Sequence, residues 1–415
     1  MKRRVVITGW GIETSLSCEV DDLFNRILAG ESGCHDIKLC DVSDIKVKIG
    51  GDIYDWSCRD LVGSKEEKKL DRYSQFMIVG AHDAVEMSGL EFDKEADLTR
   101  MGAVLGSGIG GMTTIFQQME RLVLKGPDRV SPMTIPKLML NAGGGNIAIK
   151  YGLRGVNYSV ATACASAANA MGNSLMHIQN GTCDLVVTGG SEAAMTRMAV
   201  SAFANMRALS MRNDDPQRAS RPFDADRDGF VFAEGAGVLI FEELERAKAR
   251  GANILAEVVG FGTSCDAGHI TSPDEDGIGA AQAMQAALDD AELNADQIDY
   301  INAHGTSTPL GDKAETRAIK NVFGDHAYKV SISSTKSQLG HSLGASGGIE
   351  AILAVKAILS STVPPTINLD NPDPDCDLDY TANTPKERNI DYAMSNSFGF
   401  GGHNASIILR KYDGS

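Results

Sequence analysis

The residues best placed to do chemistry in this 415-residue sequence are one cysteine, two histidines and one lysine, each just beyond a segment that reads as a strand. Cys164 lies in Val160-Ala161-Thr162-Ala163-Cys164-Ala165-Ser166-Ala167-Ala168-Asn169-Ala170-Met171-Gly172. A β-branched run closes at Val160, small residues make a bend, and an apolar pattern continues through Leu175, Met176 and Ile178, giving strand, turn, helix. A cysteine at a helix N-terminus faces unsatisfied N–H groups carrying partial positive charge. They favour thiolate over thiol and can donate to an oxyanion on an acyl group under attack. A lone cysteine among alanines also packs as a small hydrophobe, so the reading depends on partners elsewhere. The run 299–303 delivers His304-Gly305-Thr306-Ser307-Thr308-Pro309, and the run 330–334 leads to Lys336 and Gly340-His341. Polar groups at strand C-termini line the sites of α/β folds, which favours function over core for this set.

The elements that must position these residues repeat. Val5-Val6-Ile7-Thr8-Gly9-Trp10-Gly11 is a short strand ending in Gly-aromatic-Gly, and Glu257-Val258-Val259-Gly260-Phe261-Gly262 repeats it in the second part of the chain. Each half then runs through helical segments to a paired-strand ending, 230–241 and 394–409, so a duplicated α/β unit divided as 1–250 and 251–415 is expected. The length itself exceeds what a single core usually serves. Lys and Arg number 39 against 55 Asp and Glu, a net charge of −16 that argues against a nucleic-acid or anionic-membrane surface. The eight cysteines (18, 34, 40, 58, 164, 183, 265, 376) form no C-x-x-C pair, so neither a disulfide framework nor a zinc site is expected, and a reducing cytosol suits them. Met1-Lys2-Arg3-Arg4 opens a strand and not a signal peptide. No apolar run is expected to reach the length of a membrane span, since even 352–359 is interrupted by Lys356. The run 65–72 reads as a charged helical face leading into the apolar segment 76–84.

Three motifs imitate other chemistries. Gly106-Ser107-Gly108-Ile109-Gly110-Gly111 follows a strand and precedes a helical segment (113–124), as a dinucleotide fingerprint does. It does not open the chain's first βαβ unit, and Lys125-Gly126-Pro127-Asp128 falls where a second strand should close on an acidic group, so the glycines are read as allowing close backbone approach. Asp224-Ala225-Asp226-Arg227-Asp228-Gly229 begins like a calcium loop, but the twelfth position is Gly235. A turn salt-bridged by Arg221 and Arg227 is expected instead. Gly344-Ala345-Ser346-Gly347-Gly348 spells a nucleophile elbow without the strand that must feed it, and reads as tight helix packing beneath His341.

Thr162-Ala163-Cys164, Asn302-Ala303-His304-Gly305-Thr306, Lys336, Gly340-His341 and Asn396-Ser397-Phe398-Gly399-Phe400-Gly401-Gly402 stand in an order that resembles the β-ketoacyl-acyl carrier protein synthases, above all the elongating type II enzymes. Ser220-Arg221-Pro222-Phe223-Asp224 and Pro364-Pro365-Thr366-Ile367-Asn368 extend the resemblance over nearly the whole chain. It implies the thiolase-like fold, two duplicated α/β halves in a five-layer αβαβα sandwich, in a cytoplasmic homodimer without cofactor or metal and without membrane insertion. It implies a decarboxylative Claisen condensation. Cys164 would take an acyl chain from an acyl carrier protein thioester. His304 and His341 would stabilise the enolate formed as malonyl-acyl carrier protein loses carbon dioxide, and attack on the acyl-cysteine would add two carbons. By the same resemblance, N–H groups of Cys164 and Phe400 form the oxyanion hole, and Lys336 orients the loop and supplies positive charge. Ile109 lines the acyl pocket, Phe398 contacts substrate, Phe400 gates, and Thr306 and Thr308 hydrogen-bond the pantetheine arm. Lys65, Lys69, Arg129 and Arg207 form a basic doorway for the acidic carrier.

Relatives differ in their partners: thiolases pair two cysteines with one histidine, chain-initiating synthases use Cys, His and Asn, and chain-length-factor subunits lack the nucleophile. Cys164 with His304 and His341 matches the elongating set, and a specialised polyketide or unusual-lipid ketosynthase stays open. Two departures stand out. Thr14-Ser15-Leu16-Ser17 replaces a Thr-Pro-x-Gly turn, and His403 replaces a Thr beside the gate, where it either alters gating or faces solvent.

Overall fold

Strand-forming runs throughout the chain join into one sheet in the computed structural model, which describes residues 2–414. Its ten strands are β1 (Val5–Glu13), β2 (Met101–Gly106), β3 (Asn157–Val160), β4 (Leu185–Glu192), β5 (Gly235–Glu243), β6 (Ala256–Cys265), β7 (Tyr300–Asn302), β8 (Ser331–Ser333), β9 (Tyr392–Gly399) and β10 (His403–Arg410). Across the sheet they run β8-β7-β9-β10-β6-β1-β5-β4-β2-β3. Counted outward from the central antiparallel pair β1 and β6, each side takes its first, fifth, fourth, second and third strand. The pairing senses repeat as well. β2 is parallel to β3 and β4 as β7 is to β8 and β9, and β5 is antiparallel to β1 and β4 as β10 is to β6 and β9.

The Gly-aromatic-Gly recurrence has a steric cause that is the same on both sides. A Cβ on Gly9 or Gly11 would come within 2.1 Å of the carbonyl oxygens of Ala84 and Gly80, so the helix Arg72–Ser88 can lie directly on β1. A Cβ on Gly260 or Gly262 would meet the Ala287 and Ala283 oxygens at 2.4 and 2.1 Å, and the helix Ile278–Ala291 lies on β6 by the same device. These two helices form outer layers. The helices Ser166–Gln179 and Ser346–Ser360 touch each other and touch strands from both halves of the sheet, making the middle layer. The arrangement is the five-layer thiolase-like fold.

The middle layer corrects one expectation. Leu343–Ser360 is long and apolar enough to cross a membrane despite Lys356, but 83% of it is buried inside the protein. Its glycines pack, as expected for the third motif: a Cβ on Gly348 would come within 2.3 Å of the Gly237 oxygen on β5, and one on Gly347 within 3.0 Å of the Ala168 nitrogen. The charged run 65–72 differs from one helical face. It is a short helix, Ser64–Glu67, then a break, then Asp71, whose carboxylate accepts from the Tyr73 N–H and caps the next helix.

Candidate active site

Cys164 sits between the end of β3 and the helix Ser166–Gln179, after an Ala163 held at φ 49°. That left-handed turn is uncommon for a non-glycine residue, and it marks a backbone bent to present one side chain. The sulfur lies 3.0 Å from Nε2 of His341. The N–H groups of Phe400 and of Cys164 itself both face it. Burial nevertheless dominates. It pushes the thiol up to about 12, against the pull of the Lys336 charge and the two N–H groups and with a small added push from Glu192. Burial thus opposes the thiolate that the helix terminus favours, because a desolvated sulfur loses more from leaving water than the terminus returns.

His341 is anchored on three sides. Its N–H donates to Val231 O at 2.7 Å, its carbonyl accepts from the Ala233 N–H at 3.1 Å, and its Nδ1 meets the Ser346 hydroxyl at 3.0 Å. The His304 ring stands nearly perpendicular to it, centroids 5.3 Å apart. Both imidazoles are held well below their ordinary range by burial first, then by the Lys336 charge, and for His304 also by His341. They are neutral donors and acceptors at neutral pH. Lys336 itself is buried in an ion pair with Glu350, whose carboxyl burial pushes up to about 7. The lysine does not border the cavity, and its charge acts on the thiol and on both imidazoles.

Cys164, His304 and His341 share one cavity of about 460 Å³. Ile109, Phe398 and Phe400 line it, as do Thr306 and Thr308, whose hydroxyls are 3.1 Å apart, and the exposed Arg207. Lys65, Lys69 and Arg129 are exposed but do not border it, and Lys69 is paired with Glu66 at 2.6 Å. His403 does not border the cavity either: its half-buried ring packs against Gly401, which turns at φ 88° inside the gate segment. Thr14 closes its departing turn with its own hydroxyl, which donates to Ser17 O at 2.6 Å and accepts from the Leu16 and Ser17 N–H groups.

Besides Glu350, two further carboxylates lie in no motif singled out from the sequence. Glu315 accepts the N–H groups of His304 and Gly305 at 2.8 and 2.7 Å and the Asn396 amide at 3.3 Å, and burial pushes it up to about 7. Its signal was Pro309, which opens the helix Pro309–Phe323 straight after the histidine loop and puts Glu315 within its first two turns. Glu192, the one charged residue of its buried strand, accepts from Ser107, Gly108, Ile109 and Gly344. One carboxylate thus joins the motif that imitated a dinucleotide site to the one that imitated a hydrolase elbow. The calcium-loop imitation is the expected salt-bridged turn. Asp224 accepts from Arg221 at 3.0 Å, and Arg227 contacts Asp312 and Asp373 at 3.4 and 2.9 Å. Among the described residues no group of His, Cys, Asp or Glu is arranged to hold a metal ion.

Similarity to known proteins agrees with this geometry. Residues 2–247 match the beta-ketoacyl synthase N-terminal domain and residues 255–370 the C-terminal domain. The chain is 47% identical over 411 residues to 3-oxoacyl-[acyl-carrier-protein] synthase 2 of Synechocystis sp., covering 99% of each chain. It is 46% identical over 410 residues to the protein of that name from Coxiella burnetii, again covering 99% of each. Among solved structures it resembles a beta-ketoacyl synthase from Burkholderia phymatum, at TM-score 0.92 and 35% identity over 99% of this chain and 100% of that one. A ketosynthase in complex with its type II acyl-carrier protein matches at TM-score 0.92 and 33% identity, over 99% and 100% of the two chains. A buried thiol and two neutral imidazoles in one cavity, on this fold and with these relatives, place the chain in the beta-ketoacyl synthase family.

Proposed function

We propose that this chain catalyses the decarboxylative condensation of a carrier-borne acyl chain with malonyl-acyl carrier protein, with the segment 1–250 supplying the nucleophile and 251–415 both imidazoles. The observation that carries the reading is the 3.0 Å contact between Cys164 Sγ and His341 Nε2, with His304 beside it in the same cavity. An arriving thioester carbonyl would lie where the N–H groups of Cys164 and Phe400 converge. As the sulfur attacks, Nε2 of His341 takes its proton and returns it to the leaving pantetheine thiolate. The Ser346 hydroxyl serves either tautomer of this ring. Accepting from Nδ1–H leaves Nε2 free to act as a base, and donating to Nδ1 puts the proton on Nε2.

In the second half-reaction the acyl group stays on Cys164 and malonyl thioester enters. The carbon–carboxylate bond breaks, its electron pair moves to the enolate, and N–H groups of His304 and His341 hold the enolate oxygen. Being neutral, both rings donate without attracting the malonyl carboxylate, and the nearest buried cation, Lys336, is occupied by Glu350. Stabilisation is therefore offered to the charge that develops and not to the one that departs. The carbanion attacks the acyl-cysteine carbonyl, and collapse of the tetrahedral adduct releases the thiolate and the chain two carbons longer. Thr306 and Thr308 would meet the pantetheine arm. Arg207 at the cavity, with Lys65, Lys69 and Arg129 beyond it, would receive the acidic carrier. The strand β3 ends the sheet, bonded on one side only, and the neighbouring helix Ala142–Tyr151 leaves Ile149 83% exposed. That edge would pair with the same edge of a second copy in a cytoplasmic homodimer, and no bound cofactor enters any step.

Four outcomes check the reading. Cys164→Gln should lose condensation by about a thousandfold or more while malonyl decarboxylation persists, and loss of both activities in a folded variant would contradict the division of roles. Iodoacetamide labelling of Cys164 should climb about tenfold per pH unit from neutral to mildly alkaline conditions, because the raised thiol remains protonated there. Levelling off below neutrality would show a primed thiolate instead. Lys65→Glu with Lys69→Glu should raise KM for carrier-bound substrates by about tenfold and leave small thioesters unaffected, and an equal change for both would remove the lysines from docking. Sedimentation equilibrium should give twice the chain mass, and a monomer at micromolar concentration would rule out the β3 pairing.

A further inference from the structure

Glu192 ends β4 with no exposed surface, and burial raises its carboxyl above the ordinary range against the pull of four uncharged donors. The donors divide evenly. Oε1 accepts from the Ser107 hydroxyl at 3.0 Å and the Ile109 N–H at 3.1 Å, and Oε2 accepts from the Gly108 N–H at 2.7 Å and the Gly344 N–H at 3.1 Å. Three of these contacts belong to the turn after β2 that presents Ile109 to the cavity. Another belongs to the residue after Leu343, which also borders the cavity and packs in one apolar cluster with Cys164 and Ile109. Leu343 is held at φ 46°, a backbone conformation that a leucine adopts only when its surroundings impose it. The two segments lock closely: a Cβ on Gly344 would stand 2.3 Å from the Gly108 nitrogen, and on either glycine 2.8 Å from Glu192 Oε2.

We infer that Glu192 is a positioning residue that sets which acyl chain lengths the enzyme accepts, by fixing the Ile109 and Leu343 walls to one carboxylate. The inference rests on the condensing reading above. The Glu192 hydrogen bonds hold the walls and not the imidazoles, because His341 has its own anchors at Val231, Ala233 and Ser346, and the His304 loop is held by Glu315; the Glu192 charge also pushes the Cys164 thiol up, an effect common to every chain length. Only a carboxylate satisfies the site. An amide of the same shape must turn its NH₂ toward one oxygen's donors, either toward Gly108 and Gly344 or toward Ile109, and the wall on that side is released.

The test compares kcat/KM for the parent enzyme and Glu192→Gln over a ladder of saturated acyl-carrier substrates from short to long. In the variant the ratio between the best and worst chain lengths should shrink by about tenfold, the scale on which an apolar pocket discriminates added methylenes. Ile109→Ala should flatten the same profile, and the double variant should flatten it no further, since both changes release one wall. Should Glu192→Gln not fold, Ser107→Ala, which removes a donor from the same oxygen, should flatten the profile in the same direction by about threefold. A profile that keeps its shape while every rate falls together would reduce Glu192 to a structural brace and overturn the inference, as would effects that simply multiply in the double variant. A parent enzyme that condenses no member of the ladder would overturn the condensing reading, and this inference with it.

Discussion

The structure depends on keeping a thiol and two imidazoles out of water at contact distance although they come from different halves of the chain. Cys164 and His341 are 177 residues apart in sequence and 3.0 Å apart in space. Burial at that point raises the thiol and lowers both imidazoles, so all three groups rest neutral. A neutral resting site has a chemical use. Each group can hold or pass a proton once a thioester arrives, and none draws in solvent ions beforehand. The price is that nothing charged at the centre holds these side chains in place.

What holds them is a set of buried carboxylates one layer out. Glu315 gathers the N–H groups of the His304 loop, Glu192 gathers those of the Ile109 turn and the Leu343 segment, and Glu350 secures Lys336. A buried carboxylate is costly unless its oxygens are satisfied, and Glu192 meets four donors in keeping with that rule. Backbone donors are suited to the task because their directions are fixed by the elements that carry them. The duplicated sheet makes the arrangement possible, since its repeated glycines seat one outer helix on each central strand and leave the two middle helices between them.

Much of this was legible in the residues because the signals were local or periodic. Gly9-Trp10-Gly11 and Gly260-Phe261-Gly262 announced the repeat, and the same backbone contact explains both. The Asp224 turn and the packing role of Gly347 and Gly348 followed from what their flanks could not be. Cys164, His304 and His341 were found through loops placed after strands and through resemblance, and the cavity unites them. The electrostatics were not legible. A helix N-terminus predicts a thiolate only if the sulfur keeps water, and burial is a property of the whole fold. Glu192 and Glu315 were missed for a related reason: their partners are backbone N–H groups, which every residue carries and no side-chain pattern reveals. Lys336 carries the expected charge but pairs it with Glu350, and acts on the imidazoles without lining the cavity. Lys65, Lys69 and Arg129 lie on surface away from the cavity, where one chain alone gives them no common partner.

The most direct measurement is to load the protein with an acyl-carrier thioester in the absence of any malonyl donor, quench, digest and map the adduct by mass spectrometry. The account predicts one acyl group per chain on the peptide containing Cys164, discharged when malonyl-carrier protein is added before quenching. An acyl group on any other residue, or an adduct on Cys164 that malonyl-carrier protein leaves untouched, would contradict it.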